Sequence, residues 1–421
     1  MDTEKKLEIL GSAAKYDICA STAAPQRRPK SMNYIGSNAP AGICHSYTPD
    51  GRCVSLLKVL MTNSCQNNCQ YCVNRRDNDF PRASFEPEEL AKLFLELYRR
   101  NYLEGIFLSS GVLKSPNFTM ERMVQTAEIL RYKYHYNGYI HLKALPHVSE
   151  NLIERGAQLA DRMSVNLESP NPDRLKSIAA EKNFMLDLIE PINVIQKQIQ
   201  KGLLKAGQTT QFVVGAAGET DLELLKTTNW LYKKKSLKRA YFSAFIPVLA
   251  TPLGQQNRVP LLREHRLYQA DWLMRFYQFE LNDLVLQKDS NLSLDLDPKM
   301  VAALNNQERF PLEINQASFK QLLSIPGIGP LSARRIWQAR KEHRFSNINE
   351  LKNLGVVTKR VKPFILISGK KQGDIKNLFL AKQLELWSDS SMGYGYEACL
   401  DNGLGNEVQK HNPNPQTILA S

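Results

Sequence analysis

The chain has 421 residues, 43% of them hydrophobic, and carries a formal net charge of +13 with a pI near 9.3. That length exceeds one ordinary core and calls for two domains with tails, while the basic balance calls for an anionic partner. No apolar run is long enough to span a membrane, so no membrane partner is expected, and the opening Met1-Asp-Thr-Glu-Lys-Lys lacks the pattern of a signal peptide.

Residues 1–53 are polar, contain Pro25, Pro29, Pro40 and Pro49, and read as a loop-rich lead-in. Cys19, Cys44 and Cys53 lie in or at the edge of it. They admit two readings, ligands of a second metal cluster or simply packed thiols. The second is preferred, because free cysteines are among the most commonly buried residues.

Val54–Leu60 is an apolar run that predicts a buried β-strand. Just beyond it stand Cys65-Gln-Asn-Asn-Cys69-Gln-Tyr71-Cys72, three cysteines at C-x3-C-x2-C spacing on a loop leaving a strand end. A structural zinc site takes four protein ligands, and an iron–sulfur cube held by protein alone takes four cysteines. Three thiolates therefore leave one iron of a 4Fe-4S cluster open to another ligand. The other reading is three unrelated buried thiols or an incomplete zinc knuckle. Seven cysteines in all, three of them clustered, suit a reducing cytoplasm better than a disulfide framework.

Strand and helix patterns then alternate. Helices are predicted over Pro87–Arg100, Thr119–Tyr134, Ser149–Leu159, Asp173–Ala180, Phe184–Lys201 and Asp221–Lys234. Strands are predicted over Gly105–Leu108, Tyr139–Ala144, Met163–Leu167, Thr210–Val214 and Ala240–Ile246. Six strands with intervening helices assemble most simply as a (β/α)6 partial TIM barrel, whose chemistry sits at the C-terminal ends of the strands. That rim makes site candidates of Ser109, Ser110 and Gly111 after the second strand, and of Asn166 and Glu168 after the fourth. Gly215, Gly218 and Glu219 follow the fifth, and Ile246 the sixth. The alternative for each is an ordinary strand-to-helix turn, since Gly, Ser and Asn are turn residues, and their common rim is what joins them. Lys143 and Tyr241 either enter the barrel mouth, to position substrate or relay a hydrogen atom, or are structural contacts.

Leu262–Phe276 is an amphipathic helix, with Leu262, Leu267, Trp272, Leu273 and Phe276 expected on the core face and His265 on the surface. The basic charge is concentrated beyond it. Between Asn315 and Lys382 fourteen lysines and arginines face only Glu342, Glu350 and Asp374. Within that stretch a helix capped by Ser318 ends at Pro326-Gly327-Ile328-Gly329, and a second helix is expected from Ser332. Two glycines let the backbone approach a phosphate, and helix N-terminal amides point toward it. Arg334, Arg335 and Lys341 add charge. The alternative is a helical hairpin used for protein contacts. A second hairpin, at Leu351–Arg360, has Val357 where a phosphate-binding one keeps its second glycine. From about Leu384 the Ser/Gly/Asn-rich tail reads as disordered, and Cys399 in it has no evident role.

The cysteine spacing, with Tyr71 before the last thiol, resembles the radical S-adenosylmethionine superfamily. The Gly327-Ile328-Gly329 turn resembles the helix-hairpin-helix motif. Together, over roughly residues 15–380, the chain resembles the family of DNA modification/repair radical S-adenosylmethionine proteins. Gly42-Ile-Cys-His, Asp50-Gly-Arg-Cys-Val-Ser-Leu-Leu-Lys, Leu108-Ser-Ser-Gly, Ala160-Asp-Arg-Met-Ser-Val-Asn, Ala244-Phe-Ile-Pro and Arg263-Glu-His-Arg-Leu-Tyr-Gln-Ala-Asp-Trp carry that likeness. It implies a 4Fe-4S cluster on Cys65, Cys69 and Cys72, S-adenosylmethionine on the remaining iron, and an electron donor such as flavodoxin or ferredoxin. Tyr71, Ser109, Ser110, Gly111, Asn166, Glu168, Gly215, Gly218 and Ile246 would then line the S-adenosylmethionine site. Serines replace the first glycine of the family's Gly-Gly-Glu-like turn, and the Gly215–Glu219 spacing is one residue off the common form. The expected layout is a lead-in at 1–53, a radical S-adenosylmethionine barrel at 54–253 and a helical connector at 254–312. A small all-α helix-hairpin-helix domain follows at 313–368, then a basic stretch and tail at 369–421. The function expected is a radical enzyme acting on DNA. A DNA-binding protein with a structural or redox-sensing cluster and an RNA-modifying radical enzyme stand as alternatives.

Overall fold

The computed structural model describes residues 1–14, 43–47 and 53–374. Cys19, Cys399 and the tail expected to be disordered lie outside them, as does the side chain of Cys53. The sheet is built from β1 (Ile43–Tyr47), β2 (Cys53–Leu60), β3 (Gly105–Ser109), β4 (Tyr139–Lys143), β5 (Arg162–Ser164), β6 (Gly207–Val214) and β7 (Leu237–Ala244). They lie side by side in chain order. The six strands β2–β7 are parallel and form the partial barrel.

The lead-in is more structured than its composition predicts. Thr3–Ala14 is a helix, α1, that buries Leu10, Ala13 and Ala14 and is tied down by Lys6 on Glu89 at 2.7 Å. β1 pairs antiparallel with β2, from Ile43 opposite Leu57 to Tyr47 opposite Cys53, and adds a seventh strand. Neither element has a strong local signal, so both depend on the surface that the barrel presents.

The helices of the barrel start where capping chemistry starts them. α2 (Pro87–Arg99) has proline in its first turn and a reciprocal Glu86–Glu89 box, and it buries Leu90, Ala91, Phe94 and Leu95 on one face. α3 (Pro116–Glu128) is capped by the Ser115 hydroxyl and continues as π-helix over Ile129–Lys133, so the predicted single helix changes its hydrogen-bond register midway. α4 (Glu150–Leu159) and α5 (Pro172–Ile178) follow, and Phe184–Ile189 is π-helical before α6 (Glu190–Gln200). α7 (Asp221–Lys234) has its predicted bounds, set by a Thr220–Glu223 capping box.

Two expectations are corrected. β5 ends at Ser164, short of the predicted Leu167, because the Thr210 hydroxyl takes over the backbone there. It donates to the Val165 carbonyl at 2.7 Å and accepts from the Leu167 amide at 3.2 Å. The second correction concerns α8 (Leu261–Phe276), which buries Glu264, Leu267, Ala270, Asp271 and Leu273. Trp272 and Phe276 are each 45% exposed and Leu262 is 43% exposed. Polar anchors rotate the helix. Glu264 accepts the Ala244 amide at 2.8 Å, and buried Asp271 holds Arg275 and the Tyr232 hydroxyl.

A second core gathers Met300, Ile314, Leu322, Ile328, Ile336, Phe345, Val361 and Phe364. It draws on α9 (Pro298–Asn305), β8 (Leu312–Glu313), α10 (Phe319–Ser324), α11 (Pro330–Ala339), α12 (Ile348–Asn353), α13 (Thr358–Val361) and β9 (Ile365–Ile367), with the exposed β10 (Lys370–Lys371) at its edge. The stretch expected as one connector is divided, with α8 packed on the barrel and α9 in the second core. The small domain is also not purely helical, because β8 pairs with β9 and β9 with β10. Arg360 on Asp297 and Lys299 on the Ile328 carbonyl at 2.6 Å fasten α9 to the hairpins.

Candidate cofactor site and nucleic-acid interface

The loop leaving β2 is laid across the end of β3. The Gly111 amide donates to the Thr62 carbonyl at 2.7 Å, the Gln66 amide to the Val112 carbonyl at 2.8 Å, and the Val112 amide points at the Cys65 sulfur at 3.4 Å. A Cβ on Gly111 would stand 2.7 Å from the Ser64 carbonyl and 3.3 Å from Cys65 Cβ. Glycine at 111 is therefore demanded by the cysteine loop itself. On its other side the loop is held by α5 and the turn after it, through the Gln70 amide on the Ile178 carbonyl and the Asn68 amide on Glu181, at 2.8 and 2.7 Å.

Arg82, which nothing in the sequence singled out, is the inner brace of this loop. Its guanidinium donates to the carbonyls of Asn63, Asn74, Arg75 and Asn78, so one side chain ties both ends of the cysteine segment together. Arg82→Ala removes the donor to the carbonyls of Asn63, Asn74 and Asn78, while that of Arg75 keeps the Asn78 amide at 3.2 Å. The expected cost is about 2–4 kcal/mol of loop stability. It should appear as faster iron loss from reconstituted protein and a lower denaturation midpoint.

Cys65, Cys69 and Cys72 are free thiols on that loop, with Cys69 buried and the other two half-buried. Burial, then the neighbouring Cys69, pushes the Cys72 thiol up to about 12, and burial raises Cys69 as well. Lys182, between α5 and α6, is buried beside them, with its ammonium 3.4 Å from Glu168. Burial lowers its pKa, but Cys69, Glu168, Cys72 and Cys65 outweigh that and hold the lysine above its usual value. Lys182 gave no sequence signal. Tyr71 faces Glu168, and burial followed by that carboxylate holds its phenol protonated. Among the described residues no group of His, Cys, Asp or Glu is arranged for a single metal ion. Three convergent thiols with a compensating buried cation fit a 4Fe-4S cluster. Cys44, in β1, is buried with Val54 and Leu56 in a small separate cluster.

The other predicted rim residues divide into two groups. On the cysteine side lie Gly111, Glu168 and Tyr71. Ser110 reaches the Thr62 carbonyl at 3.5 Å. Ser109 is 1% exposed, and its hydroxyl has no hydrogen-bond partner among the described residues, so a donor or acceptor remains for a bound group. Glu168 sits in the left-handed region at φ +64°, and Asn166 is buried two residues before it. On the far side, Gly215 and Gly218 (φ +87° and +65°) form the turn after β6, and Ile246 follows β7. Val214 and Ala244 are paired, so these two loops start side by side. Glu219 is turned inward, where its carboxylate accepts the Gly215 and Ala217 amides, and burial raises its pKa. A Cβ at Gly215 would meet Val259 at 2.4 Å.

In the second core the hairpin turn joins α10 to α11. Ser318 caps α10 as expected, but α11 begins at Pro330 with Gly329 as its cap, not at Ser332. The two hairpins lock turn to turn, with the Val357 amide on the Gly327 carbonyl at 3.0 Å and the Ser332 hydroxyl on the Gly355 carbonyl at 2.9 Å. Gly327 has φ +89°, and a Cβ there would stand 2.8 Å from the Val357 carbonyl. It is required by hairpin packing. A Cβ on Gly329 would meet only the Tyr277 hydroxyl, at 3.5 Å, so Gly329 is the glycine with open space before it. The Ile328 side chain is buried in the second core. Arg334 and Lys341 are exposed, whereas exposed Arg335 also reaches the Leu354 carbonyl at 3.4 Å.

Residues 59–231 match the family model described as the radical SAM superfamily, and residues 309–361 match that of the helix-hairpin-helix motif. The first stretch is a radical S-adenosylmethionine domain, an enzyme domain whose cofactors are a 4Fe-4S cluster and S-adenosylmethionine. No curated protein matches the chain. Among solved structures, HydG, a maturase of the [FeFe]-hydrogenase, is 14% identical with a TM-score of 0.41, over 51% of this chain and 48% of that one. The chain thus spans about half the length of that HydG structure. Methylornithine synthase (PylB) is 16% identical with a TM-score of 0.41, over 58% of this chain and 67% of that one. A radical SAM methyltransferase from Sphaerobacter thermophilus is 16% identical with a TM-score of 0.40, over 54% and 69%.

Proposed function

We propose that the protein is a radical S-adenosylmethionine enzyme that acts on nucleic acid, with DNA as the substrate, in modification or repair. The observation that carries this reading is the fusion, in one chain, of the three-thiol loop with a hairpin bearing exposed Arg334 and Lys341 beside an open Gly329. Cys65, Cys69 and Cys72 hold the cluster. S-adenosylmethionine lies along the rim from Tyr71 and Ser109–Gly111 past Asn166 and Glu168 to Gly215, Gly218 and Ile246. When bound, this cofactor pair supplies reductive cleavage of the sulfonium and thereby a 5′-deoxyadenosyl radical.

The chain's own part is to bind, orient and seal. Arg82 and Gly111 fix the cysteine loop, Lys182 balances thiolate charge, and the half-closed barrel keeps water from the reacting atoms. The hairpin amides and cations hold phosphates without reading bases, so they set affinity and orientation while the barrel mouth receives one nucleotide, turned out of its stack. Residues 54–253 form the catalytic unit and 313–368 the grip. A flavodoxin or ferredoxin delivers the electron, and the reducing chemistry suits the cytoplasm. Among the described residues no helix is long and apolar enough to cross a membrane. The test is reductive cleavage of S-adenosylmethionine by anaerobically reconstituted protein, with and without duplex DNA. Duplex DNA should stimulate turnover and carry the modified nucleotide. Cleavage indifferent to both DNA and RNA would remove the nucleic-acid substrate.

A further inference from the structure

The hairpin turn is met from behind by a buried cation. Lys299, in the first turn of α9, is 7% exposed. Its ammonium donates to the Ile328 carbonyl at 2.6 Å and lies 4.5 Å from the Tyr277 ring at the end of α8. The place is a costly one for such a group. An ammonium resists desolvation, a helix N-terminus disfavours a cation, and a neutral donor would tether the same carbonyl. Asp297, the acid acting on Lys299, is held by Arg360 of α13 and caps the Met300 amide at 3.2 Å.

The Ile328 carbonyl and the Gly329 amide belong to one trans peptide, so they point in opposite directions. With the oxygen turned in toward Lys299, the N–H is turned out. That amide donates to no described residue, whereas the Ile328 amide is on the Ile325 carbonyl at 3.2 Å and the Val357 amide on the Gly327 carbonyl at 3.0 Å. It also belongs to the glycine with open space before it, where a Cβ would meet only the Tyr277 hydroxyl at 3.5 Å. A cation on the oxygen of a peptide draws electrons from its nitrogen and makes the N–H a stronger donor, as hydrogen bonds in series reinforce one another.

We infer that Lys299 is a positioning residue of the phosphate grip, holding the Ile328–Gly329 peptide with its N–H outward and strengthening that amide as a donor to a backbone phosphate. This rests on the proposed function for its ligand, a phosphate of nucleic acid, and it extends the grip to α9, outside the hairpin. Burial holds the Lys299 pKa well below the usual lysine range, Asp297 opposes that shift and Arg360 adds to it. A phosphate beyond the peptide favours the charged lysine and raises its pKa. The added affinity is therefore complete below the Lys299 pKa of the free protein and is lost as pH rises through that of the complex.

The experiment is titration of a labelled DNA duplex with reconstituted full-length protein, read by fluorescence anisotropy over about pH 7 to 10. Lys299→Met removes the donor, and Lys299→Gln offers a neutral one. Each should weaken binding about tenfold, since a charged donor makes a hydrogen bond roughly twice as strong as a neutral one. Each should also flatten the decline of affinity with rising pH. Adding Lys299→Met to Gly329→Ala should cost little beyond Gly329→Ala alone, because both act on one peptide, while adding it to Arg334→Ala should cost the full amount. Circular dichroism and denaturation midpoints show which variants are folded. A folded Lys299→Gln variant with wild-type affinity and pH profile overturns the inference, as do effects of Lys299→Met and Gly329→Ala that simply add. In those two results Arg334→Ala with Lys341→Ala still weakens binding, so the grip itself stands. Affinity unchanged by the Arg334 and Lys341 changes removes the grip, and this role of Lys299 with it.

Discussion

Alanine at Cys65, Cys69 and Cys72 together should reduce the iron bound after anaerobic reconstitution from about four per chain to background and abolish reductive cleavage of S-adenosylmethionine. Each single change should lower cleavage by at least a hundredfold, because a cube with two protein ligands leaves two irons exposed to solvent. The loop should survive the triple change. Its course is fixed by Arg82 on four carbonyls, by the Gly111 amide on Thr62 and by Gln70 on α5, none of which uses a thiol. Without metal the Cys72 thiol sits near 12, so assembly must remove protons from the thiols, and loading should be less complete as pH falls. Iron and sulfide analysis, the visible charge-transfer band and 5′-deoxyadenosine by chromatography are the readouts. Full cleavage activity in the triple variant would refute the assignment of these three residues.

The second large effect lies in the hairpin. Arg334→Ala with Lys341→Ala should weaken binding to unrelated duplexes about equally and flatten the log–log salt dependence by up to about two, since each lost phosphate contact removes roughly 0.9 from the slope. Arg335→Ala should do more than remove charge, because that side chain also reaches the second hairpin. The two glycines should behave differently. Gly327→Val forces a branched side chain into φ +89° and against the Val357 carbonyl, so it should unlock the paired hairpins and cost about 2–4 kcal/mol. DNA affinity is then lost with the fold. Gly329→Ala should leave the fold intact and still weaken binding, because its Cβ occupies the open side of the turn. Filter binding over a salt series, beside denaturation of each variant, checks this. Equal DNA affinity in the wild type and in the Arg334/Lys341 variant would show that the grip lies elsewhere.

The sequence by itself determined what depends on near neighbours. The apolar strand before Cys65, the bounds of α7 and the Ser318 cap follow from strand patterning and capping, whose partners lie within a few residues. The order of the strands followed too, because short alternating elements leave little topological choice. Tertiary structure decided the rest. β5 stops early because a hydroxyl on the neighbouring strand replaces a ladder bond, and α8 turns Trp272 outward because Glu264 and Asp271 find partners on β7, α7 and α8 itself. Gly327 had looked like a phosphate-facing glycine, and only the second hairpin shows that it faces Val357. Lys182 and Arg82 are ordinary surface-type residues in a linear reading. They acquire their roles because folding brings thiols 110 or more positions away, or carbonyls at both ends of a loop, within reach of one cation. A charge acts through distance in space, and local sequence pattern carries no measure of that distance.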